Sequence, residues 1–426
     1  MRGKSRGMVK RTLLIVATLD TKGKEAAYVK ECVESLGVDV LVMNVGTMSE
    51  PSMGADFSLE NVLKAAGRGP FPGTSGVLRR SEAVEAVQEG GIAIARRLLS
   101  EGRVDGILGL GGGTGTSIAA AVMRSLPFGI PKVMVSTVAS RDVRQYVGTK
   151  DIVMFHSVAD LLGWNHFVGR VLQQAAHAVY AMMEVGVTGK EGRPMVAVTA
   201  YGINSRCAMN VEPLLEERGY EMIGFHANGV GGMAMEEMTG EGLIEGVLDL
   251  TVHEVADEMF GGYCRGIGQR RFRAAGEVGI PLLVAPGGLD NAVFSPFYPM
   301  PDRLKGRRRR DHDDRFCVRM EREEMIVFAR IIAERLNDSR GQVFVLIPSR
   351  GFSEADRQGE ELYDPETDRV FTEELKGLLR EDIALEEMDA HISDPEFASR
   401  AVYVIDTMIR ARRQAGTEKP EAGRQA

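Results

Sequence analysis

Short apolar segments rich in valine, isoleucine and leucine alternate along the chain with longer segments in which apolar residues recur at helical spacing. The short segments are typical of buried β-strands and the long ones of amphipathic α-helices. Because the two kinds alternate, the pattern predicts β–α units and parallel sheets. In the first half, the predicted strands are Thr12–Thr18, Val38–Val45, Val104–Leu110, Lys132–Thr137 and Ile152–Phe155. The predicted helices there are Lys22–Ser35, Ser81–Leu99, Thr116–Ser125 and the run Val158–Val185, as one helix or two adjoining ones.

The second half repeats this alternation. Its predicted strands are Met195–Thr199, Met222–His226, Gly246–Leu250, Leu282–Ala285, Val343–Ile347 and Leu385–Met388, and its predicted helices are Ala208–Arg218, Gly232–Glu241, Arg319–Leu336 and Pro395–Arg413. A glycine-rich, charged segment, Thr188–Arg193, marks the expected domain boundary. We therefore predict an α/β protein of two Rossmann-like, doubly wound domains, each with a mostly parallel sheet. They span residues 1–187 and 194–413, and a disordered tail follows at 414–426.

The composition is that of a globular protein with sizeable cores, since 44% of the 426 residues are hydrophobic and 26% are charged. A formal net charge of −8 argues against nucleic acid or an anionic membrane as the main partner. No apolar run approaches the roughly 18 residues of a membrane span, and the basic N-terminus leads into a strand-like segment rather than a signal-peptide core. The four cysteines form no CxxC pair, which favours reduced thiols in a cytoplasmic protein.

A glycine-rich turn interrupts the stretch GILGLGGGTGTSIAAAVM, residues 106–123, where a predicted strand ends and a predicted helix begins. In an open parallel sheet, ligands bind beyond the carboxyl ends of the strands. Glycines there either allow tight packing or let the backbone approach a phosphate. Because three predicted strands end in glycines and hydroxyl groups, we favour an anionic ligand. The residues predicted to bind it are Asp20, Thr21, Lys22, Gly23, Gly111, Gly112, Gly113, Thr114, Gly115, Thr116, Ser136, Thr137, Ala139 and Ser140.

The residue types in this set suit the phosphates of a nucleotide. Backbone amides and hydroxyl groups donate to phosphate oxygens, and Lys22 supplies a positive charge. Asp20 could hold magnesium or a ribose hydroxyl. The turn matches neither GxxxxGK[ST] nor GxGxxG, so neither motif is claimed. The following segment, 141–151, is either a rim that clamps phosphates or a solvated loop with local Arg–Asp pairing, and the sequence leaves both open.

The predicted strands of the second half end in histidines and carboxylates. Such groups, when they converge on one crevice, can exchange protons with a substrate. The predicted acid–base residues are His226, Asp290 and His391. A second glycine-rich turn and an arginine are predicted to bind a small acidic substrate through Asn228, Gly231 and Arg350. No HxxxH or HxH spacing occurs, so no metal ligand is assigned and a metal site is the less favoured alternative.

A run of four arginines, Arg307–Arg310, is followed at once by Asp311, Asp313 and Asp314. A patch that binds nucleic acid would rarely neutralise itself in this way. We interpret the run as a solvated, internally paired loop, so no nucleic-acid partner is predicted.

Eight segments carry a resemblance to a known family. They are ATLDTKGKE (17–25), GLGGGTGT (109–116), PKVMVSTVASRDVRQYVGTKDI (131–152), FHANGVGG (225–232), LIEGVLDLT (243–251), PGGLD (286–290), PSRGFSEAD (348–356) and DAHISDPEFA (389–398). With these segments the chain resembles, from about Leu13 to Met408, the ATP-binding-domain proteins named after a plant tobamovirus-resistance protein, whose stand-alone bacterial and fungal members form an uncharacterised family. The resemblance implies two Rossmann-like subdomains, ATP binding by the N-terminal one at the three loops given above, and self-association as a dimer.

The chain departs from the family's usual pattern at two places near these loops. The usual glycine loop has the sequence GGSGGT, whereas Gly113 stands here in place of the serine and Thr114 in place of a glycine. Arg141 stands where glycine is common and adds positive charge near the expected phosphates. These departures predict rearranged rather than lost phosphate contacts.

Three functions remain open on this evidence. The leading hypothesis is an ATP-binding protein, with magnesium, whose second domain offers a polar cleft to an unidentified small acidic substrate or protein partner. The alternatives are an ATP-dependent enzyme of phosphoryl transfer or ligation that uses the acid–base groups above, and a homodimeric or larger interaction module ordered by the nucleotide.

Overall fold

The computed structural model describes residues 10–68, 80–185 and 192–417. The chain divides into two compact units, Met1–Gly189 and Lys190–Ala426. Most of the boundary segment predicted at Thr188–Arg193 lies outside the described residues. Among the helices of the described ranges, none combines the length and apolar character needed to cross a bilayer.

The N-terminal unit is a five-stranded parallel sheet covered by helices. Its elements are β1 (Thr12–Ala17), α1 (Leu19–Ser35), β2 (Asp39–Asn44), α2 (Leu59–Ala65), α3 (Arg80–Ser100), β3 (Gly106–Gly111), α4 (Gly113–Arg124), β4 (Lys132–Ser136), α5 (Arg144–Val147), β5 (Ile152–His156) and α6 (His166–Glu184). The strand order is β2-β1-β3-β4-β5, and every pairing is parallel. The order reverses between β1 and β3, which is where doubly wound sheets bind their ligands.

Alternate residues of the central strands pack on opposite faces of this sheet. Leu13 and Ile15 of β1 belong to one buried cluster, which α1 and α6 complete. Leu14 and Val16 belong to another, which includes residues of α2, α3 and α4. This two-sided burial explains why the strands are continuously apolar, as parallel sheets with helices on both faces require.

The C-terminal unit contains a six-stranded parallel sheet of the same design. Its elements are β6 (Met195–Ala200), α7 (Ser205–Glu217), β7 (Glu221–His226), α8 (Gly231–Gly240), β8 (Gly246–Thr251), α9 (Glu254–Phe260), α10 (Ala274–Val278), β9 (Leu282–Gly287), β10 (Asn291–Phe294), β11 (Arg309–Asp311), β12 (Phe316–Arg319), α11 (Arg322–Asn337), β13 (Val343–Pro348), α12 (Pro365–Leu378), β14 (Ala384–Met388) and α13 (Pro395–Thr417). The strand order is β14-β13-β9-β8-β6-β7, with all pairings parallel. The predicted α/β fold with two mostly parallel sheets is therefore confirmed.

Three strands of the C-terminal unit stand apart from this sheet. β10, β12 and β11 form a small antiparallel sheet between β9 and β13 in sequence. The sequence analysis missed it because segment 309–319 is mostly charged and lacks the alternation that marks a half-buried strand. The predicted solvated loop at Arg307–Arg310 is therefore wrong at Arg309 and Arg310, which belong to β11.

Two predicted helices also begin too early. Residues 158–165 are not helical: Val158 has a φ of +61°, and α6 begins only at His166, where the side chain of Asn165 accepts a hydrogen bond from the N–H of Val168. Arg319 belongs to β12, and α11 starts after a capping box formed by Glu321 and Glu324.

The predicted disordered tail begins too early, since α13 continues to Thr417 and the remaining residues lie outside the described ranges. The side chains of Arg412 and Arg413 lie 3.7 and 3.5 Å from the carboxylate of Glu245. Alanine, glutamine and arginine also have high helix propensity, which favours continuation of the helix.

Candidate functional site

The ends of β1, β3 and β4 meet at the carboxyl edge of the N-terminal sheet. A Cβ atom placed on Gly115 would lie 3.5 Å from the Cγ2 of Thr18, and one placed on Gly112 would lie 3.7 Å from the Oγ1 of Thr137. The structure thus brings together the three loops that the sequence analysis selected. We call the middle one, residues 111–116, the first glycine turn.

The glycines of the first glycine turn have two different roles. A Cβ on Gly111 would lie 2.6 Å from the backbone of Gly115 and Thr116, so close packing requires glycine there. A Cβ on Gly113 would meet no atom within 4 Å, and one on Gly112 only the Thr137 hydroxyl. Packing within the protein therefore explains Gly111 and leaves Gly112 and Gly113 beside open space.

The first glycine turn also begins helix α4. Gly112 is its N-cap residue and provides no side-chain hydrogen bond to the first turn of this 12-residue helix. The N-terminus of a helix carries partial positive charge and amide groups that suit an anion. This end of α4 has the chemistry to hold phosphate oxygens beside Gly112 and Gly113.

Two predicted phosphate ligands are already engaged inside the protein. The hydroxyl groups of Thr116 and Ser136 lie 2.7 Å apart, and both residues are fully buried. The Ser136 hydroxyl also accepts a hydrogen bond from the N–H of Val138 at 3.1 Å. Their position indicates that they join β3 to β4, whereas Thr137, Ala139 and Ser140 lie in the partly exposed turn that follows.

The turn after β1 is held by contacts with the loop after β2. Asp20 accepts a hydrogen bond from the N–H of Met48 at 2.8 Å through Oδ2, while its Oδ1 is buried without a hydrogen-bond partner. Gly23 packs against Ser52, since a Cβ there would lie 2.0 Å from the Ser52 Oγ. One oxygen of the Asp20 carboxylate therefore lacks a hydrogen-bond partner, and it is buried next to Gly46.

Lys22 and Thr21, two of the residues predicted to bind phosphate, already have contacts within the protein. The ammonium group of Lys22 lies 3.8 Å from Asp160, and Lys22 is largely buried. The hydroxyl groups of Thr21 and Thr18 lie 3.1 Å apart.

Asn44 was not predicted from the sequence. Its side-chain oxygen accepts hydrogen bonds from the N–H groups of Leu19 and Gly46 and so fixes the start of α1. Its position at the end of β2 is the only signal that could have identified it.

A cavity of about 260 Å³ lies in the C-terminal unit. The ends of β6 and β7 contribute Tyr201 and His226, and β10, β11 and β12 contribute other wall residues. Its basic and acidic side chains are His226, Arg310, His312, Arg315 and Glu354, and Tyr201 and Cys317 add a hydroxyl and a thiol group. Basic groups outnumber the one carboxylate of the lining, and both arginines also pair with carboxylates, Arg310 with Glu360 at 2.8 Å and Arg315 with Asp313 at 2.6 Å.

Tyr201 connects the groups on one wall of this cavity. Its hydroxyl accepts a hydrogen bond from Arg315 at 3.2 Å, and its ring centroid lies 5.0 Å from that of His226. Burial and the nearby Arg315 guanidinium lower the pKa of His226. A neutral imidazole beside arginines can accept a proton from a bound acid, which is the role predicted for His226.

The other two predicted acid–base residues do not line the cavity. Asp290 is fully buried and accepts hydrogen bonds from Asn291 and Ser353 at 2.9 Å, and burial followed by repulsion from Asp356 raises its pKa to about 6. The Nε2 of His391 lies 2.9 Å from the carbonyl oxygen of Ser353. Of the three, the structure places only His226 at the cavity.

The predicted substrate-binding residues are engaged by the protein's own groups. In the second glycine turn, residues 228–232, the side chain of Asn228 accepts hydrogen bonds from Val230 and Gly231 at 3.3 and 3.1 Å. The N–H of Gly229 donates to the buried carboxylate of Glu254 at 2.6 Å. Arg350 donates two 2.7 Å hydrogen bonds to Asp389 at the surface. The anion expected at each place is therefore supplied by an internal carboxylate or amide oxygen.

Sequence reasoning missed most of the cavity wall. Arg310, Arg315 and Cys317 belong to or adjoin the antiparallel strands β11 and β12, which were not predicted. The other arginines of the run are paired with acids distant in sequence: Arg307 with Glu324 at 3.0 Å and Arg308 with Asp364 at 2.6 Å. Pairing within the run holds only for Arg309 and Asp311.

Fold and site together define a two-unit, doubly wound α/β protein with an open, glycine-lined helix start in one unit and a basic cavity in the other. More narrowly, the chain belongs to Uncharacterised protein family (UPF0261): residues 11–188 match the N-terminal domain of the family and residues 193–409 its C-terminal domain. A UPF0261 protein of Clostridium tetani is 37% identical over 392 residues, which is 91% of this chain and 96% of that protein.

Two tomato proteins extend the comparison to plants. The ToMV resistance protein Tm-1(GCR237) and the ToMV susceptible protein tm-1(GCR26) of Solanum lycopersicum are each 36% identical over 91% of this chain. The chain spans about half the length of these two relatives, 54% of each. Among solved structures, MurG of Acinetobacter baumannii aligns over 94% of this chain and 95% of its own, with 11% identity and a TM-score of 0.22, a score too low to support any argument.

Proposed function

We propose that the N-terminal unit binds ATP, with its phosphates at the first glycine turn and magnesium as counter-ion. The C-terminal cavity then takes a small acidic substrate or partner group. The proposal rests most on the start of α4, where the N-cap residue Gly112 provides no side-chain hydrogen bond and a Cβ on Gly113 would meet no atom within 4 Å.

The position in the fold supports the same ligand. The first glycine turn follows β3, one of the two strands between which the sheet order reverses. Nucleotides bind at such reversals in doubly wound sheets because two neighbouring loops diverge there. Asp20, in the first turn of α1 after the other of these strands, has a carboxylate oxygen without a hydrogen-bond partner, which suits magnesium or a ribose hydroxyl.

A matched pair of glycine substitutions tests the proposal. Gly113→Glu places a carboxylate in the space proposed for phosphates, while Gly377→Glu places one beside another glycine whose Cβ would meet no atom within 4 Å, in α12 of the other unit. We expect calorimetry to show ATP binding, with and without magnesium, to the native chain and to Gly377→Glu. Binding to Gly113→Glu should weaken at least tenfold, equivalent to about 1.4 kcal/mol.

Two results would count against the proposal. One is the absence of ATP-dependent heat or thermal stabilisation in the native chain at millimolar ATP, since a ligand well above its Kd stabilises the native state. The other is equal affinity of the two glutamate variants for ATP.

The basic cavity favours a second candidate function, an ATP-dependent enzyme of phosphoryl transfer or ligation. His226 is its acid–base group, because it alone of the three predicted residues lines the cavity. His226→Ala should abolish substrate-dependent ATP turnover in a screen of small carboxylic and phosphorylated acids. His391→Ala is the control at a histidine outside the cavity lining, and equal turnover in both variants would reject this assignment. Dimer formation, predicted from the family resemblance, is measured in the same samples by light scattering.

A further inference from the structure

Three side chains that differ in chemistry converge in the interior of the C-terminal unit. One ring nitrogen of His253, one carboxylate oxygen of Asp257 and the sulfur of Cys264 all lie within 4.8 Å of one another. All three residues have no exposed surface. His253 is the N-cap residue of α9, Asp257 lies one turn further along that helix, and Cys264 follows in the next loop.

The hydrogen bonds of His253 identify its available nitrogen. Nε2 lies 2.5 Å from the carbonyl oxygen of Ala227, and because a carbonyl only accepts, Nε2 carries the proton. In a neutral ring Nδ1 is then unprotonated, and it is buried without a hydrogen-bond partner. Histidines that bind metals usually donate their other N–H to a backbone carbonyl or a carboxylate in this way.

Asp257 is held in a fixed orientation by backbone groups. Its Oδ1 accepts a hydrogen bond from the N–H of Val293 at 2.7 Å, and its Oδ2 accepts one from the N–H of Cys264 at 2.6 Å. The thiol of Cys264 also hydrogen-bonds this carboxylate, and a metal ion would replace that contact when the thiol loses its proton. The carboxylate is thereby oriented as a ligand before any ion binds.

We propose that His253, Asp257 and Cys264 bind a zinc ion. A neutral imidazole, a carboxylate and a thiolate together carry two negative charges, which a divalent cation would neutralise among these buried side chains. Nitrogen, oxygen and sulfur ligands at this spacing suit Zn²⁺, whereas Mg²⁺ and Ca²⁺ prefer oxygen alone. Metal binding is the less favoured alternative from the sequence because no HxxxH or HxH spacing occurs. The structure instead brings together an HxxxD pair and a cysteine seven residues further along the chain.

The site lies next to the cavity. The ring of Tyr201 stacks on His253 with centroids 4.3 Å apart, and Tyr201 also lines the cavity. Three protein ligands leave a coordination position for water or a ligand oxygen, as catalytic zinc sites do. This proposal does not depend on nucleotide binding by the other unit.

Metal content and a cobalt spectrum test the site in the full-length protein. After treatment with a chelator and dialysis against Zn²⁺, elemental analysis should give about one zinc per chain. Replacement by Co²⁺ should produce a thiolate-to-cobalt charge-transfer absorption, which reports a cysteine ligand directly. Both signals should be lost in Cys264→Ser and His253→Gln. Zinc affinity should fall by about 100-fold or more, since even outer-shell partners of metal ligands contribute 10–100-fold.

Cys207→Ser is the matched control, because Cys207 is equally buried but belongs to a separate apolar cluster. It should retain full metal content and the cobalt spectrum. If the ligand variants do not fold, the native chain still decides the question. The proposal is overturned by less than stoichiometric zinc in the native chain, by a cobalt complex without the thiolate band, or by a band that persists in a folded Cys264→Ser.

Discussion

The two glycine turns have similar sequences and similar positions between a strand and a helix, but different groups lie beside them. Each follows a parallel strand and opens a helix, α4 after the first and α8 after the second. In the first turn, Gly112 and Gly113 face open space. In the second, a Cβ on Gly232 would lie 2.5 Å from the carboxylate of Glu254, which already accepts a hydrogen bond from Gly229. The same local pattern therefore has open space beside Gly113 in one unit and an internal carboxylate beside Gly232 in the other.

The local sequence of a glycine turn therefore does not by itself determine what lies beside its backbone amides. Glycines and a helix N-terminus predict an oxygen anion at both turns. The second turn has the carboxylate of Glu254, and for the first turn the anion is the phosphate that we propose. Whether the anion is a ligand or a side chain depends on a residue elsewhere. Glu254 is 25 residues from Gly229, and its carboxylate is fixed by the buried guanidinium of Arg271 at 3.0 Å.

The largest effect is expected on removing Arg271, which neutralises the acids around the second glycine turn. It is fully buried and pairs with Asp249, Glu254 and Glu236. Arg271→Met leaves these carboxylates without a cation, so the free energy of unfolding should fall by about 3–5 kcal/mol in urea titrations. The neighbouring Arg270→Met removes only an exposed pair with Glu277 and should cost less than about 1 kcal/mol. Similar costs for the two variants would show that Glu254 does not need Arg271 as its partner.

The next largest effect on the unfolding free energy is expected at Gly231, the first residue of α8, in comparison with Gly113, the first residue of α4. A Cβ on Gly231 would lie 1.9 Å from the carbonyl oxygen of His226, so Gly231→Ala should cost about 1–3 kcal/mol or more of unfolding free energy. Gly113→Ala meets no atom within 4 Å and should be neutral or stabilise the chain by up to about 1 kcal/mol. Urea titrations measure both. A destabilising Gly113→Ala would show that its surroundings are filled by protein and would weaken the nucleotide proposal.

The pH dependence of stability should report the buried carboxylates of the C-terminal unit. Burial, followed by repulsion from Asp368, raises the pKa of Asp356 to about 8, while burial raises the pKa of Asp368 to about 6. Both values exceed the ordinary 3.8, so the folded state holds more protons than the unfolded state between these limits. The stabilisation is complete below pH 4 and is lost as the pH rises through about 6 to 8.

Asp356→Asn isolates this contribution from that of the histidines, whose lowered pKa values act in the opposite direction. The unfolding free energy of the native chain minus that of the variant should decrease by up to about 1.4 kcal/mol per pH unit across this window. Urea titrations at pH 5 and pH 8 measure it. A difference that does not change with pH would mean that Arg319, which lies 3.3 Å from Asp356, keeps this carboxyl ionised throughout.

The sequence predicted most of the fold because parallel strands buried on both faces are uniformly apolar. It located the end of β3 within one residue and the start of α4 within three, and it selected three loops that lie side by side. The strands β11 and β12 were not predicted because their segment is mostly charged and lacks alternating apolar and polar residues. Arg310 and Arg315 were therefore not recognised as cavity residues. It also assigned His226, Asp290 and His391 to one crevice, because strand ends alone do not show which side chains turn inward.

The smallest effect on stability is expected at Arg350, which, like the second glycine turn, donates to a carboxylate of the protein, but at the surface. Its guanidinium donates two hydrogen bonds to Asp389, and both side chains are mostly exposed. Exposed pairs contribute little to stability because water competes for both partners. Arg350→Gln should therefore leave the unfolding midpoint within the scatter of repeat measurements.

Asp389→Asn should also leave the unfolding midpoint unchanged, and it removes the partner of Arg350, so that Arg350 can bind acidic ligands. Stronger binding of a small dicarboxylate by Asp389→Asn, abolished by adding Arg350→Gln, would show that Arg350 is a binding residue masked by an internal anion. Unchanged binding in both would restrict Arg350 to a surface ion pair.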